Sequence, residues 1–238
     1  MRKIKFIKGN FYHLFNRGVD KRNIFGDDND KWRFLQGLFL FNDEKSTANL
    51  LWQIKRDRGK ATFGVLRDFI RENSSSRDPL VRICAICLMP NHYHLLVEEI
   101  KEDGISRFMH KLGTGYVEYF NSKYDRDGSL FQATFKTALI DNETYLQYLL
   151  VYINIINPGQ LIEPNLKEEG IKDIDAIMQF AKEYQWSTNP EYLNERNSII
   201  IEKGLLGEFF PDPRKYQEFA KQVLLGRKFE TISHLALE

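Results

Sequence analysis

The chain has no apolar run that approaches the roughly 18 to 20 residues needed to cross a bilayer, so no membrane-spanning helix is expected. No continuous apolar segment follows the basic residues of MRKIKFIKGNFYHLF, and a signal peptide is not expected either. Cysteine is scarce, with two in 238 residues. That excludes a disulfide-stapled scaffold and suits a reducing, cytoplasmic setting. Net charge is almost absent at +1, but the balance hides an asymmetry. Residues 1–140 hold 24 Lys+Arg and 17 Asp+Glu, a charge of +7; residues 141–238 hold 10 and 16, a charge of −6. A basic front half suits a polyanionic partner. Chance clustering of solvated charges would give the same figures, so the asymmetry carries weight only beside a site.

What is present is an alternation of strand and helix patterns. FYHLFNRGV, residues 11–19, is β-prone and ends in a turn signal at Gly18. DDNDKWRFLQGLFLFND opens on aspartate caps and has Trp32, Leu35, Leu38 and Phe39 at helical spacing. Residues 44–80 read as a surface insertion that ends in the polar loop NSSSRDP. VRICAICLMP and HYHLLVEEI are strands joined by a Pro90-Asn91 turn, which makes a hairpin. ISRFMHKLGTGYVEYFNSKY reads as a helix weakened by Gly113 and Gly115, SLFQATFKTALI as a strand, and DNETYLQYLLVYINIINP as a helix capped by Asp141 or Asn142. The order β-α-β-β-α-β-α implies an α+β fold, an antiparallel sheet with packed helices in ferredoxin-like order. The reading divides the chain into a domain over 1–160, interrupted at 44–80, and an acidic, mostly helical region over 161–238.

Five histidines occur, and two stand in LMPNHYHLLVEEI. Residues two apart on a strand share a face, so His92 and His94 point one way and Tyr93 the other, with Cα atoms about 6.5–7 Å apart. Imidazoles at that spacing can converge on one cation, although a half-exposed polar face would show the same pattern. Two histidines are one ligand short of an active metal site. Cys84 and Cys87 do not supply it, because residues three apart on a strand face opposite sides; they read as core. The helix before Pro158 is the better source. Tyr145, Tyr148 and Tyr152 lie on one of its faces, and Asn154 and Asn157 follow closely. An aromatic stripe packed on the sheet is the plain alternative, and it is accepted for Tyr145.

The stretches YHLFNRGV, LMPNHYHLLVE, SRFMHKLGTGYVEYFNSKY, GSLFQATFK and YLLVYINIINP, in this order, resemble the single-tyrosine HUH transposases, in particular their REP-associated branch. The motif is His, a hydrophobic residue, His; here it is His92-Tyr93-His94. The resemblance runs over about residues 10–160, which makes 1–160 the catalytic domain, and continues weakly into YQWSTNPEYLNERNS. It implies that both histidines and a third polar ligand hold one Mg²⁺ or Mn²⁺. It also implies that a tyrosine, matched by Tyr152, attacks single-stranded or hairpin DNA to form a 5′-phosphotyrosine link.

One departure from the family pattern concerns the third ligand. The family has four residues from the position after that tyrosine through the asparagine before proline; this chain has five, Ile153 to Asn157. Asn157 recovers the ligand position if the helix holds a one-residue π-bulge; otherwise Asn154 or water fills it. Tyr148 is the alternative nucleophile. Arg17, Lys21, Arg22, Arg107, Lys111 and Lys136 are expected on phosphates, and Phe131 on unpaired bases. Relatives act as monomers or homodimers. The rival readings are a DNA-binding protein of this fold that has lost its chemistry, and a metal-dependent hydrolase with no covalent step.

Overall fold

The computed structural model describes residues 5–45 and 77–227, with single positions at 56, 59, 62, 64, 65 and 68. The insertion expected over 44–80 falls mostly outside the described residues. The chain forms two compact units. One comprises residues 1–9, 25–82 and 99–130; the other comprises 10–24, 83–98 and 131–238.

In the first unit, α1 (Asp28–Phe41) and α2 (Gly104–Lys123) pack on each other. The expected aspartate start of α1 is present as a capping box: Asp27 accepts from the Asp30 N–H, and the Asp30 side chain accepts from the Asp27 N–H. Phe34 meets Phe25 and Tyr116 edge to face, with centroids 5.5 and 5.0 Å apart. Gly115 does more than weaken α2. A Cβ there would stand 2.6 Å from the Phe41 ring, so glycine lets the two helices close. The other end of α2 is held by Glu99, whose buried carboxylate accepts from the Gly104 and Ile105 N–H groups and so caps the helix.

The sheet has four strands: β1 (Phe11–Arg17), β2 (Val81–Met89), β3 (His92–Glu99) and β4 (Lys136–Ile140), in the spatial order β2-β3-β1-β4. β1 pairs antiparallel with β3 on one side and β4 on the other. The α+β class and ferredoxin-like order are therefore present. β4 is shorter than SLFQATFKTALI suggested. The Asn16 side chain takes the Ala133 carbonyl at 3.0 Å, and residues 132–134 bow out of the ladder.

The helix after β4, α3 (Glu143–Val151), starts at Asn142, whose side chain accepts from the Tyr145 N–H at 2.7 Å. It passes into a π-helical turn over Tyr152–Ile156 and ends with Asn157–Gly159. Beyond it lie α4 (Leu166–Glu169), α5 (Ile174–Glu183), α6 (Asn189–Tyr192), α7 (Leu205–Phe209) and α8 (Pro213–Gln222). The described residues of this region share a core with the sheet. Leu166, Ile177, Tyr192 and Tyr216 join Cys84, Cys87, Leu96, Leu149 and Ile153 in one buried cluster. Residues 186–188 lie along the outer edge of β2. The Leu88 N–H donates to the Trp186 carbonyl at 2.9 Å, and the Thr188 N–H to the Ile86 carbonyl at 3.0 Å. This contact covers an edge that would otherwise offer unpaired backbone groups. Among the described residues no helix is long and apolar enough to cross a membrane.

Candidate functional site

Strand register builds the site. In β1 against β3, Arg17 stands opposite His92, Phe15 opposite His94, and His13 opposite Leu96. In β1 against β4, Phe15 faces Lys136. Alternation then gathers His13, Phe15, Arg17, His92, His94 and Lys136 on one sheet face. His92 and His94 do share a face, with ring centroids 5.0 Å apart. Tyr93 points the other way and is buried there, edge-on to Phe131 at 5.9 Å. The structure therefore does not bring Phe131 to the histidines.

Each histidine is held through Nδ1. His92 Nδ1 lies 2.6 Å from Asn91 Oδ1, and Asn91 Nδ2 donates to the Lys21 carbonyl at 3.1 Å. An amide oxygen only accepts, so His92 carries its proton on Nδ1 and presents the Nε2 lone pair. His94 Nδ1 lies 2.8 Å from His13 Nε2. Ligating imidazoles are oriented in this manner, by a bond to the nitrogen that does not ligate. The loop that carries Lys21 is strained: Asp20 and Lys21 both have positive φ, 54° and 59°. Its ends are tied to the hairpin turn, Gly18 N–H to the Asn91 carbonyl and Ile24 N–H to the Pro90 carbonyl. Lys21 thus contributes its backbone to His92, and the Arg22 guanidinium donates to Val19 and Asp20 within the same loop.

Beside the histidines is a small cavity of about 50 Å³, lined by Phe15, Asn16, Arg17, Gln132, Thr134 and Lys136 among others. The bowed segment before β4 forms one of its walls. Arg17 and Lys136 place two cationic side chains there. Arg107 and Lys111 belong to the first unit and are engaged in it: Arg107 with Glu44, and Lys111 donating to the Asp43 carbonyl at 2.7 Å.

Tyr152 meets this face from the helix. Its ring is edge-on to His94 at 5.6 Å and to His13 at 6.1 Å. Its hydroxyl oxygen accepts from Lys167 Nζ at 2.9 Å. Tyr148, one turn earlier, is buried in the core cluster, and burial pushes its hydroxyl up to about 12. The π-turn on which the Asn157 alternative depended is present. The Asn157 N–H donates to the Tyr152 carbonyl five residues back, so Asn157 stands one turn beyond Tyr152, where an α-helix would put Ile156. Ile153, Ile155 and Ile156 are buried. Asn154 is buried too, but it turns to the acidic region, where its Oδ1 accepts from Thr188 at 2.6 Å and its Nδ2 donates to Tyr216 at 3.3 Å. Asn154 is therefore not available as the third ligand. Cys84 and Cys87 are buried and form no disulfide, and burial pushes the Cys87 thiol up.

Three residues at the site have no counterpart in the sequence reading: His13, Asn91 and Lys167. The first two left a signal. His13 precedes Phe15 at strand spacing in FYHLF, and Asn91 fills the turn before His92. Lys167 left none.

Residues 51–155 match the model of a family described as transposase IS200 like. That stretch, less than half of the chain, contains His92, His94 and Tyr152, and over it the chain is similar to that family. Among solved structures, the chain is similar to one described as "Structure of the REP associates tyrosine transposase bound to a REP hairpin". The identity is 15% and the TM-score 0.45, over 86% of this chain and 91% of that one. No curated protein matches.

Proposed function

We propose that the chain nicks and rejoins single-stranded or hairpin DNA through a 5′-phosphotyrosine link to Tyr152. The observation that carries this reading is the meeting of Tyr152 with the histidine face, its ring 5.6 Å from that of His94 and Asn157 one π-turn beyond it. In the forward step the Tyr152 oxygen bonds to the scissile phosphorus. The bond from phosphorus to the 3′ oxygen breaks, and that oxygen leaves as a 3′-OH. The linkage keeps the bond's free energy, so the reverse attack needs no nucleotide cofactor. Arg17 and Lys136 neutralise phosphate charge at the cavity.

The donor set fits a divalent cation. Among the described residues no three His, Cys, Asp or Glu side chains converge; we take the amide of Asn157, which is fully buried, as the third donor. Its Oδ1 accepts from Gln160 Nε2 at 3.0 Å, while its Nδ2 has no hydrogen-bond partner. Turning both amides over keeps their mutual bond and aims a carbonyl oxygen where the orphaned nitrogen stood. His92 Nε2, His94 Nε2 and Asn157 Oδ1 would then hold Mg²⁺ or Mn²⁺. The two nitrogen donors favour Mn²⁺. A bound ion there would polarise the scissile phosphate and leave positions open for its oxygens.

The test is adduct trapping with labelled single-stranded DNA that contains imperfect hairpins, in Mn²⁺ or EDTA, on a denaturing gel. A metal-dependent shifted band that vanishes in Tyr152→Phe and His92→Ala is expected. A band lost in Tyr148→Phe but kept in Tyr152→Phe would move the nucleophile. No band, with DNA retained on a native gel, would favour a binding protein without the chemistry.

A further inference from the structure

The Tyr152 oxygen has a neighbour that the histidine face does not supply. Lys167 Nζ donates to Tyr152 Oη at 2.9 Å, and the same ammonium lies 4.8 Å from the centre of the tyrosine ring. Lys167 lies outside the stretch that matches the family model, in the region that looks like an appendage on composition alone.

Its position is built by packing. After Asn157–Gly159 the chain doubles back: the Leu161 N–H donates to the Pro158 carbonyl, and the Ile162 and Glu163 N–H groups to the Gly159 carbonyl. Leu166 then enters the core cluster at 1% exposure and fixes α4. Gly159 lets it approach, since a Cβ there would stand 3.1 Å from Leu166 and 3.0 Å from Ile177. The far side of the loop is closed by Glu163, whose carboxylate accepts from the Lys172 and Asp173 N–H groups at 3.0 Å each. The next residue after the anchored Leu166 is Lys167, and a lysine stem can reach Tyr152 from there.

We propose that Lys167 is a catalytic residue that stabilises the negative charge on Tyr152 Oη. The inference rests on Tyr152 being the nucleophile. In cleavage, Oη gives an electron pair to phosphorus, its proton leaves to solvent, and the departing 3′ oxygen takes up a proton. In rejoining, the 3′-OH oxygen attacks, and the electron pair of the P–Oη bond returns to Oη. Lys167 remains an ammonium throughout and meets the charge on Oη in both directions. A charged donor already in place costs no reorganisation when that charge appears.

Two measurements test it, one without DNA. In protein labelled with ¹³C at the tyrosine ring carbon that bears the hydroxyl, the Tyr152 NMR signal is identified by its loss in Tyr152→Phe. Lys167→Met is expected to move that signal. In single-turnover adduct formation with saturating DNA and Mn²⁺, Lys167→Met is expected to slow the rate about 100-fold, the usual effect of removing one such donor. The DNA dissociation constant on a native gel should stay unchanged, and Lys167→Arg should recover most of the rate. If Lys167→Met loses its fold by circular dichroism, Lys167→Gln, which is uncharged, decides in its place. An unmoved Tyr152 signal, an unchanged rate, or a defect confined to DNA affinity overturns the proposal. If the unmutated chain forms no adduct, the nucleophile reading falls and the proposal falls with it; if adduct forms equally fast without Lys167, the proposal alone falls.

Discussion

Each compact unit contains a tyrosine beside a lysine, and the two contacts differ in the direction of the hydrogen bond. In the first unit the Tyr119 and Tyr124 hydroxyls donate to Asp30, at 2.9 and 2.7 Å, and Lys123 bonds the same carboxylate. In the second, the Tyr152 oxygen accepts from Lys167. A phenol that donates to a carboxylate is held to its proton. Burial and then the Asp30 bond push Tyr119 up to about 12. A phenol oxygen that accepts from an ammonium faces a positive charge instead, which suits an attacking oxygen. The Asp30 centre is also closed, because its carboxylate takes up the Gly26 and Asp27 N–H groups as well. The histidine face opens on a cavity. Closed pairing of charge ties helices together, and an open polar face beside a cavity suits a substrate.

The largest test of this contrast is Tyr152→Phe, which should lower adduct formation by at least about 10³-fold. Tyr119→Phe should leave it within about twofold. Equal losses in both variants would erase the distinction. Next in size is Asp30→Asn, expected to cost about 3 kcal/mol of stability in urea unfolding, because it removes the buried charge that Lys123, the Tyr119 and Tyr124 hydroxyls and two backbone N–H groups bond, and leaves Lys123 only Asp27.

The same carboxyl predicts an acid limb. Burial alone would raise its pKa, but the bonds from Lys123, Tyr124, the Gly26 N–H and Tyr119 outweigh burial and hold it below the ordinary range. The folded state then binds that proton less readily than the unfolded state. Its contribution is complete above the ordinary carboxylate range, near pH 4, and is lost as pH falls below that range. Unfolding measured from pH 7 to 2 should show this loss, and Asp30→Asn should flatten it. Smaller still, His13→Phe should weaken Mn²⁺ binding in calorimetry by about 10- to 100-fold, the usual effect of removing a residue that orients a ligand. An unchanged affinity would make the His13–His94 bond plain packing.

Much of this was legible beforehand because it depends on local period. Two-residue alternation put His92 and His94 on one face and Tyr93 on the other. The aspartates before Trp32 marked a helix start, and the one-residue excess before Asn157 left a π-turn as one of the alternatives, which the structure contains. Phe131 shows the limit of such reading. It was expected on bases, but its ring meets Tyr93 on the opposite face, because a bridge from Gly18 fixes its place. Arg107 and Lys111 were matched by helical spacing alone, and their partners Glu44 and Asp43 come from the segment after α1.

The sequence by itself determined the strand and helix order, the histidine face, the burial of both cysteines and the helix that carries Tyr152, since each follows from periods of 2 and 3.6 within one segment. Only the tertiary structure decided that His13, 81 positions from His94, holds its ring, that Asn154 turns to Thr188, and that Lys167 reaches Tyr152. Those contacts depend on strand register and on the anchoring of Leu166 in the core, and no local period encodes either.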